Sequence, residues 1–119
     1  VGQCSPDMLL GLMGQRDASA VNFDALFRAA KETQTALEIN AQPKRLDLAE
    51  GPARQAKKLG VMLAISTDSH SRDQLDQVVF GVGVARRAWL ERSDVLNCRS
   101  RAQLLSWIGA KRRRLARPR

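Results

Sequence analysis

The sequence predicts a parallel α/β protein, and more narrowly the C-terminal portion of a larger α/β barrel. Three observations carry this. Helical and strand-like segments alternate along the chain, the order that produces parallel strands joined by right-handed crossovers. The clearest strand, Val61-Met62-Leu63-Ala64-Ile65, is continuously apolar and so calls for cover on both faces. Only about three strands can be found, and three parallel strands alone would leave long unpaired edges. Further strands must come from elsewhere to close the barrel.

The elements follow in order. Residues 1–20 are poorly defined: Met8, Leu9, Leu10, Leu12 and Met13 suit a short buried helix or a packed loop, and Gly11 and Gly14 argue against a long one. A helix then begins at the N-cap Asn22, with Phe23, Leu26, Phe27 and Ala30 at helical spacing and Val21 placed to staple onto Leu26; it should end near Gln34. Thr35 to Asn40 reads as a strand with Leu37 and Ile39 on one face and Glu38 and Asn40 on the other. That second face suits either a polar site or a solvent-facing edge. Ala41 to Leu48 is a loop carrying Pro43, Lys44, Arg45 and Asp47.

Pro52 fits the first turn of a second helix that should run to Leu59 and stop at Gly60. The strand at Val61 to Ser66 comes next. Ser71 and Gln74 have capping-box spacing, which predicts a short helix there. Gly81 and Gly83 are expected to interrupt the chain before a helix over residues 82–90 that carries Arg86, Arg87 and Trp89. Asp94 to Cys98 reads as a short third strand. Ser100 and Gln103 repeat the capping-box spacing ahead of a last helix, with Leu104, Leu105 and Ile108 on its apolar face and Trp107 packing beside them. A basic tail, residues 111–119, ends the chain.

Composition sets limits. At 119 residues the chain is one domain at most, and with three Phe, two Trp and no Tyr its core must be built from Leu, Val, Ile and Ala. No apolar run approaches the ~18 residues of a membrane span, and no signal segment is expected. Cys4 and Cys98 show no pairing pattern, so a reducing cytoplasm is the expected compartment. The net charge is +8, and Lys111, Arg112, Arg113, Arg114, Arg117 and Arg119 supply six of those charges, leaving +2 for the rest. The surplus is therefore a mobile tail rather than a basic face. Such a tail can hold nucleic-acid phosphates or simply keep the chain soluble.

The chemistry concentrates in Ser66-Thr67-Asp68-Ser69-His70-Ser71, directly after the apolar strand. His70 is the only histidine. A carboxylate and an imidazole two residues apart, at the carboxyl end of a strand, suit a divalent metal that activates water. Reactive groups of parallel α/β folds collect at that end. A surface turn in which Asp68 and Ser71 cap the next helix accounts for the same residues.

Several blocks together carry a resemblance: Leu37-Glu38-Ile39-Asn40, Pro43-Lys44-Arg45-Leu46-Asp47-Leu48, Ser66 to Ser71, Gly81 to Leu90, and Val95-Leu96-Asn97-Cys98-Arg99. In that order they resemble the C-terminal part of the PHP (polymerase and histidinol phosphatase) domain fused to bacterial X-family DNA polymerases, over roughly Phe23 to Ile108. The resemblance implies a distorted (β/α)7 barrel, a manganese or zinc site that this fragment ligates only in part, and metal-dependent phosphoester hydrolysis of DNA as a 3′–5′ exonuclease. It implies catalytic and metal-binding roles for Asp68 and His70, and a site-lining position for Glu38, Asn40 and Arg45. Cys4 falls where the family shows a ligand histidine, unless the N-terminal segment is diverged or out of register. The implied partners are DNA, the N-terminal part of the barrel and a polymerase domain, and the implied location is cytoplasmic and nucleoid-associated. Two other functions suit parts of the chain: a non-catalytic DNA-binding scaffold acting through the basic end, and a phosphatase of the histidinol-phosphate type.

Overall fold

A computed structural model of the chain describes residues 21–115, with side chains to residue 113. In chain order the described elements are helix α1 (Phe23–Glu32), strand β1 (Leu37–Asn40), helix α2 (Glu50–Lys58), strand β2 (Leu63–Ser66), a 3-10 turn (Arg72–Gln77), helix α3 (Val78–Arg87), a second 3-10 turn (Leu96–Cys98) and helix α4 (Arg101–Leu115).

The local signals explain most of these boundaries. Asn22 Oδ1 accepts the Ala25 N–H at 3.0 Å, satisfying one of the free amides that open α1. Glu50 and Pro52 occupy the first turn of α2, and Gly60, at φ 71°, turns the chain out of it. At α4 the capping box is reciprocal: the Ser100 N–H donates to Gln103 Oε1 at 2.9 Å and the Gln103 N–H to Ser100 Oγ at 3.3 Å.

Strands β1 and β2 pair in parallel, with Leu37 opposite Leu63 and Asn40 opposite Ser66. Strand alternation then sorts the sheet into two unlike faces. Leu37, Ile39, Leu63 and Ile65 lie on one face and meet Phe27, Ala30, Ala53, Ala56, Val84, Ala85 and Ala88 from the helices. Glu38, Asn40, Ala64 and Ser66 lie on the other. The core is aliphatic and small-residue, with Phe27 its largest member.

Five expectations are corrected. The third strand shrinks to a single parallel bridge between Val95 and Leu63, after which the backbone winds into the 3-10 turn. Gly81 and Gly83 do not interrupt α3, which runs through both. The Ser71 hydroxyl makes no cap bond; Gln74 Oε1 instead accepts the His70 N–H at 2.7 Å, and the helix that follows is of the 3-10 type. Finally, α4 continues to Leu115, so the basic segment starts inside a helix, where Lys111 Nζ donates to Thr35 Oγ1 at 3.1 Å. The stripe on α4 is not a core face either, because Leu105 and Ile108 are exposed.

Outside the sheet, Lys57 fastens the end of α2 to the segment after α3. Its Nζ lies 3.1 Å from Asp94 Oδ2 and 3.4 Å from Glu91 Oε1, and donates to the Trp89 carbonyl at 2.6 Å. Asp94 beside it, with a smaller part from Glu91, raises the ammonium above its ordinary 10.5. A raised amine stabilises the fold fully below its unfolded value and loses that contribution as pH rises through the folded one. The melting temperature of the wild type should therefore fall more steeply above about pH 10.5 than that of Lys57→Met. Parallel melting curves for the two proteins would show that these contacts carry no linkage.

Candidate functional site

The polar face of the sheet and the loop leaving β2 meet at the carboxyl ends of the strands. Asn40 is 2% exposed, and its Oδ1 accepts the Gln42 N–H at 2.9 Å, turning the chain sharply out of β1. Glu38 is half-buried, and its Oε1 accepts the Ser66 hydroxyl across the sheet. On this face Asn40 is buried, whereas Glu38, Ala64 and Ser66 are half-buried. The Ala41 N–H donates to the Ser66 carbonyl at 2.7 Å and extends the strand pairing up to the loop. Arg45 is half-buried in the turn after β1, beside the buried Asp47.

After Ser66 the backbone leaves the sheet and reaches Asp68 at φ 50°. Left-handed geometry is costly for most residues, and Asp tolerates it better than most because its short side chain bonds locally. The turn aims the Asp68 carbonyl at the His70 ring, where Nδ1 lies 2.8 Å away. A carbonyl oxygen only accepts, so Nδ1 is the donor in this contact, and in the neutral ring Nε2 then keeps its lone pair. An imidazole fixed in this tautomer by a backbone carbonyl is the form in which histidine binds a metal through Nε2. The His70 side chain is exposed and Asp68 half-buried.

Two donors do not make a metal centre. Among the described residues no group of three or more His, Cys, Asp and Glu side chains converges. Zinc sites generally take at least three protein ligands. Manganese or zinc is therefore not fitted by the described residues alone, which supply one edge of such a site at most. Cys4 lies outside the described residues, as do Arg117 and Arg119. Of the basic run, Lys111 is engaged with Thr35, whereas Arg112 and Arg113 are exposed on α4. The structure thus gathers Glu38, Asn40, Ser66, Asp68 and His70 at one end of the sheet. It places Lys111, Arg112, Arg113 and Arg114 elsewhere, on the terminal helix.

One participant was not expected. By sequence Asn97 belongs to the expected third strand, yet its side chain holds the backbone of Ile65 at the exit of β2. The available signal was an Asn in a predicted strand, where that residue is disfavoured.

No helix among the described residues is long and apolar enough to cross a membrane. No protein-family profile matches the chain. It is 44% identical over 89 residues to the DNA polymerase/3'-5' exonuclease PolX of Bacillus subtilis strain 168, a match that covers 75% of this chain and 16% of that protein. Over those residues the chain is related to an X-family DNA polymerase, and it spans about 16% of that relative's length.

Proposed function

We propose that this chain is the C-terminal part of the PHP phosphoesterase region of an X-family DNA polymerase, contributing Asp68 and His70 to a manganese or zinc site whose other ligands come from strands outside the described residues. The observation that carries the reading is the polar sheet face on which Glu38 holds Ser66, followed by a histidine whose Nδ1 is held by the Asp68 carbonyl. The similarity to a DNA polymerase/3'-5' exonuclease supports DNA as the substrate and a polymerase domain as the partner. Within this reading the chain's own residues have positional tasks. Glu38 and Ser66 hold each other across the sheet, Asn40 turns the backbone, and Asp68 fixes the tautomer of His70. Arg45 lines the rim and Cys4 is a candidate further ligand.

The metal, when bound, supplies charge neutralisation at the phosphate and an activated water. With fewer than three converging ligands among the described residues, the isolated chain is expected to bind manganese or zinc weakly and to leave a 3′-ended DNA strand uncut. In a protein that also carries the preceding strands, His70→Ala should lower manganese-dependent hydrolysis by more than about 100-fold, since even ligand-supporting residues cost 10–100-fold. Hydrolysis of the DNA strand by the 119-residue chain alone would overturn the first expectation. Full activity of His70→Ala in the longer protein would overturn the second.

The exposed Arg112 and Arg113 support a second reading, a non-catalytic DNA contact through α4. Replacing Arg112, Arg113 and Arg114 with Gln should reduce both DNA affinity and its salt dependence, whereas unchanged binding would remove this reading.

A further inference from the structure

We infer that Asn97 is a positioning residue for the His70 loop: its carboxamide takes the place of a strand partner for Ile65 and thereby holds the exit of β2 in register. The inference rests on the reading of Ser66 to His70 as the site. On the edge of β2 away from β1, the Leu63 N–H donates to the Asp94 carbonyl at 2.9 Å, as a third parallel strand would require. That strand then stops. Val95 makes the only bridge among the described residues, and the chain turns away through Leu96–Cys98. Two residues further along β2, the Ile65 N–H and C=O would face open solvent.

Asn97 fills the gap from the side-chain level. Its Oδ1 accepts the Ile65 N–H at 2.8 Å and its Nδ2 donates to the Ile65 carbonyl at 2.9 Å. A carboxamide has the same donor and acceptor pair as a peptide group, so it can complete the ladder where the backbone cannot. Ile65 itself packs against the core, and Ser66 is engaged by Glu38 and Ala41 on the other side. The last two residues of β2 are thus gripped from both edges, two residues before Asp68 takes its left-handed turn. Position fixed there is transmitted to the Asp68 carbonyl and through it to His70 Nδ1.

Because His70 is the only histidine, its ring nitrogens can be read singly by NMR on the full chain, without metal. In the neutral ring the wild type is expected to show the Nδ1–H tautomer. In Asn97→Ala, exchange of the Ile65 amide should speed up about tenfold, and His70 should move toward the Nε2–H form that free imidazole favours, while the Phe27 and Val84 amides stay protected. Asn97→Asp keeps an oxygen for the Ile65 N–H and has no donor for its carbonyl, so it should fall between the two and serves as the deciding variant should Asn97→Ala fail to fold. A His70 tautomer unchanged in a folded variant whose Ile65 amide has opened would overturn the inference. So would an Ile65 amide indifferent to both substitutions. A failure of the metal reading would appear separately, as absence of manganese-induced broadening of the His70 signals in the longer protein.

Discussion

Gly81→Ala is expected to destabilise the chain by about 1–3 kcal/mol, the usual cost of forcing extra volume into a packed interior. A Cβ at this position would lie 2.6 Å from Ile65 Cγ2 and 2.9 Å from Ala41 Cβ. Ala41 is completely buried and its Cβ is fixed to the backbone, so it cannot swing away. The absent side chain is what lets α3 lie against the sheet where β1 and β2 end. Gly83, two residues along the same helix, is the control. A Cβ there would meet only the end of the flexible Arg87 side chain, at 3.6 Å. Gly83→Ala should therefore stabilise the helix by about 0.5–1 kcal/mol, through the entropy that glycine loses on folding. Thermal unfolding of the two variants should move in opposite directions, and a common direction would sink the argument. The effect bears on function as well, since the contacts of Gly81 are with the residues directly behind Asn40 and Ser66.

Phe27→Ala is expected to cost about 3–5 kcal/mol, the range for deleting a fully buried aromatic ring. Phe27 is wholly buried and is the largest side chain in the core, and its ring centroid lies 5.5 Å from that of Phe23. With total stabilities of about 5–15 kcal/mol for native domains, a loss of this size leaves little or no cooperative transition. Phe23, half-buried at the margin of the same cluster, should cost clearly less when truncated. Urea titration separates the two, and equal losses would mean that α1 is anchored by its length rather than by Phe27.

Much of the fold could be read in the residues because it is decided locally. Asn22 caps α1, Gly60 ends α2 and Ser100 pairs with Gln103, each within a few positions of its partner. The alternation in Leu37 to Asn40 placed Glu38 and Asn40 on one face, and the position of Asp68 and His70 after an apolar strand pointed to the end where sites form. Three of the misreadings share an origin, a partner distant in sequence. Gly81 and Gly83 look alike as helix breakers, and only the closeness of Ile65 and Ala41 makes one a packing requirement and the other incidental. Asp94 to Cys98 has a strand-like composition, but a side-chain amide 32 positions from Ile65 replaces the backbone ladder. Lys111 belongs to a basic run by composition and to the α1–β1 connection by contact.

The sequence by itself thus determined most of the helical segments and where the two paired strands lie, because periodicity and capping act within a turn or two. Only the tertiary structure decided that the third strand gives way to Asn97 and that α3 runs through Gly81 against Ile65 and Ala41. Each of these depends on a hydrogen-bond or steric partner brought close by folding, and no local pattern encodes that distance.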